Sequence, residues 1–184
     1  MATDATHLTQ WRTDLLARDF IDARVLVTGS SRGIGAALAL AFAELGAQVA
    51  LHGRDNSDSL WSLADRLTAA GGRKTVVVTG NFTDTVETKL AVSQAIEGLG
   101  GLDILINNAG TMLGRHKAES LTEATLNEVL SLNGKSLLTA SQVAFPALCQ
   151  SKQGCIVNTT SISARTGGSP GSLAYSAAKA FVST

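Results

Sequence analysis

The chain has 184 residues, 45% of them apolar and 16% charged, and its 15 basic and 15 acidic side chains cancel to zero net charge. That length suits one domain with a substantial core, and the neutral balance offers no footprint for nucleic acid or an anionic membrane surface. No stretch reaches the roughly 18 apolar residues of a membrane span, the first residues lack the plan of a secretory signal, and two cysteines are too few for a disulfide framework; a reducing, cytoplasmic setting is expected.

Residues 1–22 read as an extension in which Trp11, Leu15, Leu16 and Phe20 recur at near-helical spacing, forming a packing arm on a domain that fills residues 23–184. From Arg24 onward, short apolar runs alternate with longer helical patterns. The runs are Arg24–Thr28, Gln48–His52, Thr75–Thr79, Asp103–Ile106 and Cys155–Thr159, each apolar on both faces as buried parallel strands are. Helices are expected over Ile34–Leu45, Ser57–Ala70, Asp84–Leu99, Thr122–Ser131 and Gly134–Gln150. Asp55, Asn56 or Ser57 can cap the second helix and Asp84 the third, while Gly46, Gly71 and Gly100 stop theirs. Such alternation predicts an α/β fold, a doubly wound parallel sheet of Rossmann-like type with right-handed crossovers and ligands at the carboxyl ends of its strands. Lys135–Cys149 is apolar around most of its circumference, which makes it either wholly internal or an interface between copies. Cys149 and Cys155 are expected in or near the core. His7, His52 and His116 show no metal-ligand spacing with one another or with the cysteines, so no metal site is expected.

The first strand runs straight into Thr28-Gly29-Ser30-Ser31-Arg32-Gly33-Ile34-Gly35, with a helix directly behind it. Glycines at these positions let backbone N–H groups and a helix N-terminus approach a pyrophosphate. The spacing G-x-x-x-G-x-G is not followed by Gly-Lys-Ser/Thr, which disfavours a nucleoside-triphosphate loop. At the end of the second strand, 18 residues past Gly35, a carboxylate would bind the adenosine ribose; glycine stands there instead, at Gly53, with Arg54 next. Further on come Asn81-Phe82-Thr83-Asp84 after the third strand, Asn107-Asn108-Ala109-Gly110 after the fourth, and Tyr175 and Lys179 four residues apart on one helical face. Tyr175 is the chain's single tyrosine.

With these motifs in this order, the segment from Ala23 to Thr184 resembles the short-chain dehydrogenase/reductase family, and its glycine loop and His-Gly-Arg turn are most similar to the 3-oxoacyl-acyl-carrier-protein reductases and sugar-type alcohol dehydrogenases within it. The resemblance implies a cofactor site made by Gly29, Ser31, Arg32, Gly33, Ile34, Gly35, Arg54, Asn81, Phe82, Asn108, Ala109 and Gly110, together with Tyr175 and Lys179. Arg32 plus Arg54 matches the family's NADP(H) arrangement; the alternative is NAD held by Asp55. Asn81 stands where the family usually has an aspartate for the adenine amino group, a contact its amide oxygen can still accept.

The resemblance further implies a catalytic set of Asn133, Ser161, Tyr175 and Lys179, with Thr160 and Ser163 as hydroxyls flanking Ser161. Free tyrosine, with a pKa near about 10, is a poor base at neutral pH, and the Lys179 ammonium would favour its phenolate. Tyr175 would exchange a proton with the oxygen of a small carbonyl or alcohol substrate, Ser161 would orient that oxygen, and Asn133, at a break between two helices, would hold a relay water. The implied protein is an NADP(H)-dependent oxidoreductase that forms a homodimer or homotetramer through the helices of residues 135–149 and of Tyr175. The alternatives are a non-catalytic NADP(H)-binding module, or an inactive fragment, since the family's domain continues to roughly 250 residues.

Overall fold

The computed structural model describes residues 19–70 and 73–184; the arm positions Trp11, Leu15 and Leu16 and the helix stop at Gly71 lie outside them. The five apolar runs form five parallel strands: β1 (Arg24–Val27), β2 (Gln48–Gly53), β3 (Thr75–Thr79), β4 (Ile104–Asn107) and β5 (Cys155–Asn158). Their order is β3-β2-β1-β4-β5, with Val27 in register with Leu51 on one side and Ile106 on the other. The winding therefore reverses at β1, and the loops that follow β1 and β4 lie side by side at the carboxyl edge, the place where sheets of this kind bind ligands.

Helices cover both faces of the sheet. α1 (Gly33–Glu44) and α2 (Asp58–Ala69) lie on one face, where Ala39, Ala43, Leu60, Leu63 and Leu67 meet Val25, Val27, Val49 and Leu51. α3 (Thr85–Leu99) and α5 (Ser136–Gln150) lie on the other, where Val92, Ala95, Ala140, Ala144 and Leu148 meet Leu26, Ala50 and Leu105. The small residues on α1, α3 and α5 bring helix and sheet backbones close together, at the cost of less buried area per contact. Asp84 caps α3 by accepting the Val86 and Glu87 N–H groups at 2.6 and 3.0 Å, and Gly100 ends that helix at φ 75°. Ser57 occupies the cap position of α2, but its hydroxyl pairs with Ser59 and leaves the backbone donors alone. Phe20 packs edge-on against Phe42, with ring centres 5.3 Å apart. At the amino edge of the sheet, Arg24 grips Asp103 with Nε and Nη2 at 2.9 and 2.8 Å, and Ser151 donates to the same carboxylate at 2.6 Å. Hydrogen bonding to Arg24 holds the Asp103 carboxyl well below the usual carboxylate range.

Three expectations need correction. β5 is not buried: it pairs along one edge only, with β4, and Ile156 and Val157 are 38% and 47% exposed. Cys149 and Cys155 are accordingly exposed and not core thiols. Of the two readings offered for Lys135–Cys149, the structure excludes only the wholly internal one: Ser136, Thr139, Ala140, Ala144 and Leu148 of α5 face inward while Leu138 and Phe145 stand in solvent. The expected break at Ser131–Gly134 does not exist either. α4 (Glu123–Leu130) continues into α5 through a single π turn, Ser131–Lys135, which keeps the backbone helical while adding one residue to the turn.

Candidate active site

The glycine loop joins β1 to α1 with its inner face buried and its rim open. Thr28, Ser30 and Gly35 are buried, Ser31 is half-buried, and Arg32, Gly33 and Ile34 are exposed. Gly29 turns at φ 64°, where a Cβ would also meet the Ala109 Cα at 2.8 Å. At Gly35 a Cβ would lie 2.5 Å from the Gly29 carbonyl oxygen and 2.6 Å from Asn108 Nδ2, so glycine alone lets loop, helix and β4 turn meet. No side chain caps α1: Arg32 sits at its N-cap without a side-chain hydrogen bond to the first turn. The N-terminal donors of α1, like those of α2, have no side-chain cap, while α3 and α4 have theirs capped by Asp84 and Thr122.

Neighbouring strand ends complete this half of the site. The Thr28 hydroxyl accepts the N–H groups of Asn108 and Ala109, each at 3.0 Å, and Asn108 Nδ2 donates to the Thr28 and Gly29 carbonyls at 3.0 and 3.1 Å. The turn after β4 is thereby locked to the glycine loop. Arg54, just past β2, is exposed and pairs with Asp55 at 3.3 Å. Gly53 has a packing reason of its own, since a Cβ there would lie 2.9 Å from Leu60 Cδ2 on a fully buried leucine. A side chain at that position would require the end of Leu60 to shift. The Asn81 amide oxygen accepts from Thr83 N at 3.1 Å, so one of its two lone pairs is already engaged, and Phe82 is buried against the His52 ring.

The second half of the site gathers where β4 and β5 end. α7 (Leu173–Ser183) carries Tyr175 and Lys179 on one face, with Lys179 Nζ 5.8 Å from the centre of the Tyr175 ring. That ammonium is buried and donates to the Thr159 carbonyl at 2.8 Å. Gly110 lies between it and Asn133: a Cβ on Gly110 would be 3.2 Å from Lys179 Nζ and 2.6 Å from Asn133 Oδ1. The Asn133 amide nitrogen donates to the Thr111 and Val129 carbonyls at 2.8 and 2.9 Å. Its Oδ1 is the one buried polar side-chain atom without a partner among the described residues. Ser161 lies in the loop between β5 and the short helix α6 (Ser163–Thr166), and its oxygen accepts from both the N–H and the hydroxyl of Ser163, at 3.2 and 2.9 Å. The hydroxyl hydrogen of Ser161 is therefore left to donate elsewhere. Thr160 turns away to the Lys179 carbonyl and the Ser183 hydroxyl.

Burial lowers the pKa of Lys179 from its ordinary 10.5. A depressed lysine costs stability wherever the unfolded chain binds a proton more tightly than the folded one, so that cost is complete below the native pKa and fades as pH rises towards 10.5. Lys179→Met is expected to melt above the wild-type chain at pH 7 and to lose that advantage as the pH is raised. A lower melting temperature for this variant at every pH would contradict it.

Sequence reasoning gave no role to two contributors and named Ser163 only as a neighbour of Ser161. His52, placed at the end of the second strand and set aside as a metal ligand, is buried and joins two loops of the site. Thr28 ties the β4 turn, and Ser163 sets the Ser161 hydroxyl. A polar residue at the end of an apolar strand was the available signal for His52 and Thr28; Ser163 had only its spacing from Ser161.

The parallel sheet, with a glycine loop at its switch point, defines a Rossmann-like fold of the dinucleotide-binding class. The short chain dehydrogenase family model matches residues 23–184, and the chain belongs to that family. It is 45% identical over 91 residues to glucose 1-dehydrogenase of Gluconobacter oxydans, covering 50% of this chain and 34% of that protein. It is 32% identical over 161 residues to the 3-oxoacyl-acyl-carrier-protein reductase FabG of Staphylococcus aureus, covering 85% of this chain and 63% of the reductase. The chain thus spans less than two thirds of the length of either relative. Among solved structures, the NADH-dependent reductase A1-R′ complexed with NAD superposes with a TM-score of 0.85 at 35% identity, over 90% of this chain and 70% of that one. A short chain dehydrogenase from Burkholderia cenocepacia in complex with NADP superposes with a TM-score of 0.83 at 34% identity, over 89% of this chain and 65% of that one. No helix among the described residues is long and apolar enough to cross a membrane.

Proposed function

We propose that this chain carries the cofactor-binding and proton-transfer residues of an NADP(H)-dependent oxidoreductase that interconverts a secondary alcohol and a ketone. The observation that carries this reading is the buried Lys179 ammonium, which shares its surroundings with Tyr175 and, across Gly110, with the orphaned Asn133 oxygen. A fold built only for stability has no reason to bury a lysine beside an unpaired carbonyl. The uncapped α1 N-terminus and the glycine that Gly35 must be fit a dinucleotide pyrophosphate, and the solved relatives named for NAD and NADP support the nicotinamide class.

When bound, the dinucleotide supplies the hydride to the substrate carbon. Tyr175 donates its proton to the substrate oxygen during reduction and takes it back during oxidation. Ser161, with its oxygen saturated by Ser163, aims its own hydrogen at that oxygen. Lys179 stabilises the charge that develops there, and Asn133 Oδ1 holds a water through which the lysine exchanges protons with solvent. Leu138 and Phe145, exposed on the outer side of α5, support association of copies of this chain.

For the cofactor, a glycine where a ribose-binding carboxylate would stand, at Gly53, and the exposed guanidiniums of Arg32 and Arg54 favour the 2′-phosphate. NADPH titrated into the chain and followed by its fluorescence is expected to bind at least about tenfold more tightly than NADH, a difference that Arg54→Asp erases. Tighter NADH binding, unchanged by Arg54→Asp, would assign the ribose contact to Asp55. Oxidation of NADPH over a panel of carbonyl compounds, on protein of verified mass, tests turnover. Binding without turnover would support a dinucleotide-binding module instead.

A further inference from the structure

His52 lies at the end of β2 and is 3% exposed, yet its backbone and ring all point into the cofactor crevice's supporting layer. Its main chain grips the glycine loop twice: Ser30 N donates to the His52 carbonyl at 2.8 Å, and His52 N donates to the Ser30 hydroxyl at 2.9 Å. The ring adds a third hold, because Gly29 N donates to Nδ1 at 3.0 Å. A ring nitrogen that accepts an N–H carries no proton, so Nε2 carries the hydrogen and donates it to the Gly80 carbonyl at 3.0 Å. The ring also stacks on Phe82, with centres 3.7 Å apart. One imidazole thus spans from the first glycine of the pyrophosphate loop to the turn after β3.

We infer that His52 is a positioning residue for the dinucleotide: as a neutral, Nε2-protonated ring it sets the separation between the Gly29–Gly35 loop and the Gly80–Phe82 turn, so that one ligand can engage both. This rests on the dinucleotide reading given above. The neutral state is favoured by desolvation, which lowers the pKa to about 4 against the opposing pull of the Gly80 carbonyl. Charged groups around it lie on the rim: Arg54 and Asp55 pair with each other past β2, Asp84 caps α3, and Glu87 accepts Asn81 N at 2.6 Å. The ring consequently meets backbone dipoles and an aromatic face, and its tautomer decides which loop atoms it can hold.

Two near-isosteres separate the two holds. Asparagine at position 52 places an amide oxygen where Nδ1 stands and keeps the Gly29 bond, whereas glutamine reaches towards the Gly80 carbonyl and offers Gly29 no acceptor. The test is NADPH and NADH affinity of the wild-type chain, His52→Asn and His52→Gln at a temperature where each is folded, with nitrogen NMR of the histidine ring at pH 7. The wild-type ring is expected to be neutral and protonated at Nε2. His52→Gln and His52→Asn, each of which keeps one hold and breaks the other, are both expected to weaken dinucleotide binding about tenfold or more, the worth of one hydrogen-bonding group left unpaired, and unchanged affinity in folded His52→Asn would show that the Gly80 hold plays no part. Unchanged affinity in folded His52→Gln, or a ring protonated at Nδ1, overturns the inference while the cofactor reading stands. Failure of the wild-type chain to bind either dinucleotide overturns both.

Discussion

Tyr175→Phe is expected to cut turnover by between about a hundredfold and ten-thousandfold, the usual worth of a positioned acid or base, while leaving dinucleotide affinity and melting temperature near their wild-type values. The separation of effects follows from where the phenol sits. Its hydroxyl makes no hydrogen bond to another described residue, and the ring, which the variant retains, is what lies under Lys179 Nζ. Removal of one oxygen therefore deletes the proton without opening a cavity or orphaning a partner. Steady-state rates on a responsive carbonyl substrate, beside a fluorescence titration with NADPH, measure both quantities on one preparation. Turnover above a tenth of wild type would remove Tyr175 from the role of acid.

The other large effect is conformational and separates two glycines of one loop. At Gly35 a methyl group meets the Gly29 carbonyl oxygen at 2.5 Å, Asn108 Nδ2 at 2.6 Å and Ser30 Cα at 2.9 Å, all parts of the locked turn and not the mobile ends of side chains. Gly35→Ala is thus expected to cost about 3 kcal/mol, at the upper end for overpacking, and to abolish dinucleotide binding by forcing the β4 turn away from the loop. At Gly33 a methyl group meets nothing within 4 Å, and the penalty is the left-handed backbone at φ 59° alone. Gly33→Ala is expected to cost about 1 kcal/mol. Chemical denaturation of the two variants measures the gap, and equal losses would show that the close approach at Gly35 relaxes freely.

These glycines also show what a sequence does and does not disclose. Alternating β-branched runs and helical patterns are local properties, so the strands appear within one or two residues of their expected bounds, and the caps at Asp84 and Gly100 are where short-range chemistry puts them. The loop and the Tyr175 helix were legible for the same reason. Burial of β5 was not, because an apolar run has one composition whether its second edge is paired or open, and only the strand order shows Ile156 and Val157 exposed. The role of Gly53 was misjudged in part: a position read through the cofactor is also crowded by Leu60, a contact between β2 and α2 that no spacing rule contains. His52 was hidden in a similar way, since its two hydrogen bonds reach Gly29 and Gly80, 23 and 28 residues away.

The π turn at Ser131–Lys135 imposes a counting rule on this part of the chain. Each residue of an α-helix advances the side chains by about 100°, so the extra residue acts as a phase correction between two faces with different obligations. Within the turn, the phase must carry Asn133 to Gly110; downstream, it must carry Ala140, Ala144 and Leu148 to the sheet. Deleting one residue between them would restore a regular helix and leave one of those faces pointing the wrong way. The segment should therefore accept substitutions at its exposed positions far more readily than any change in its length.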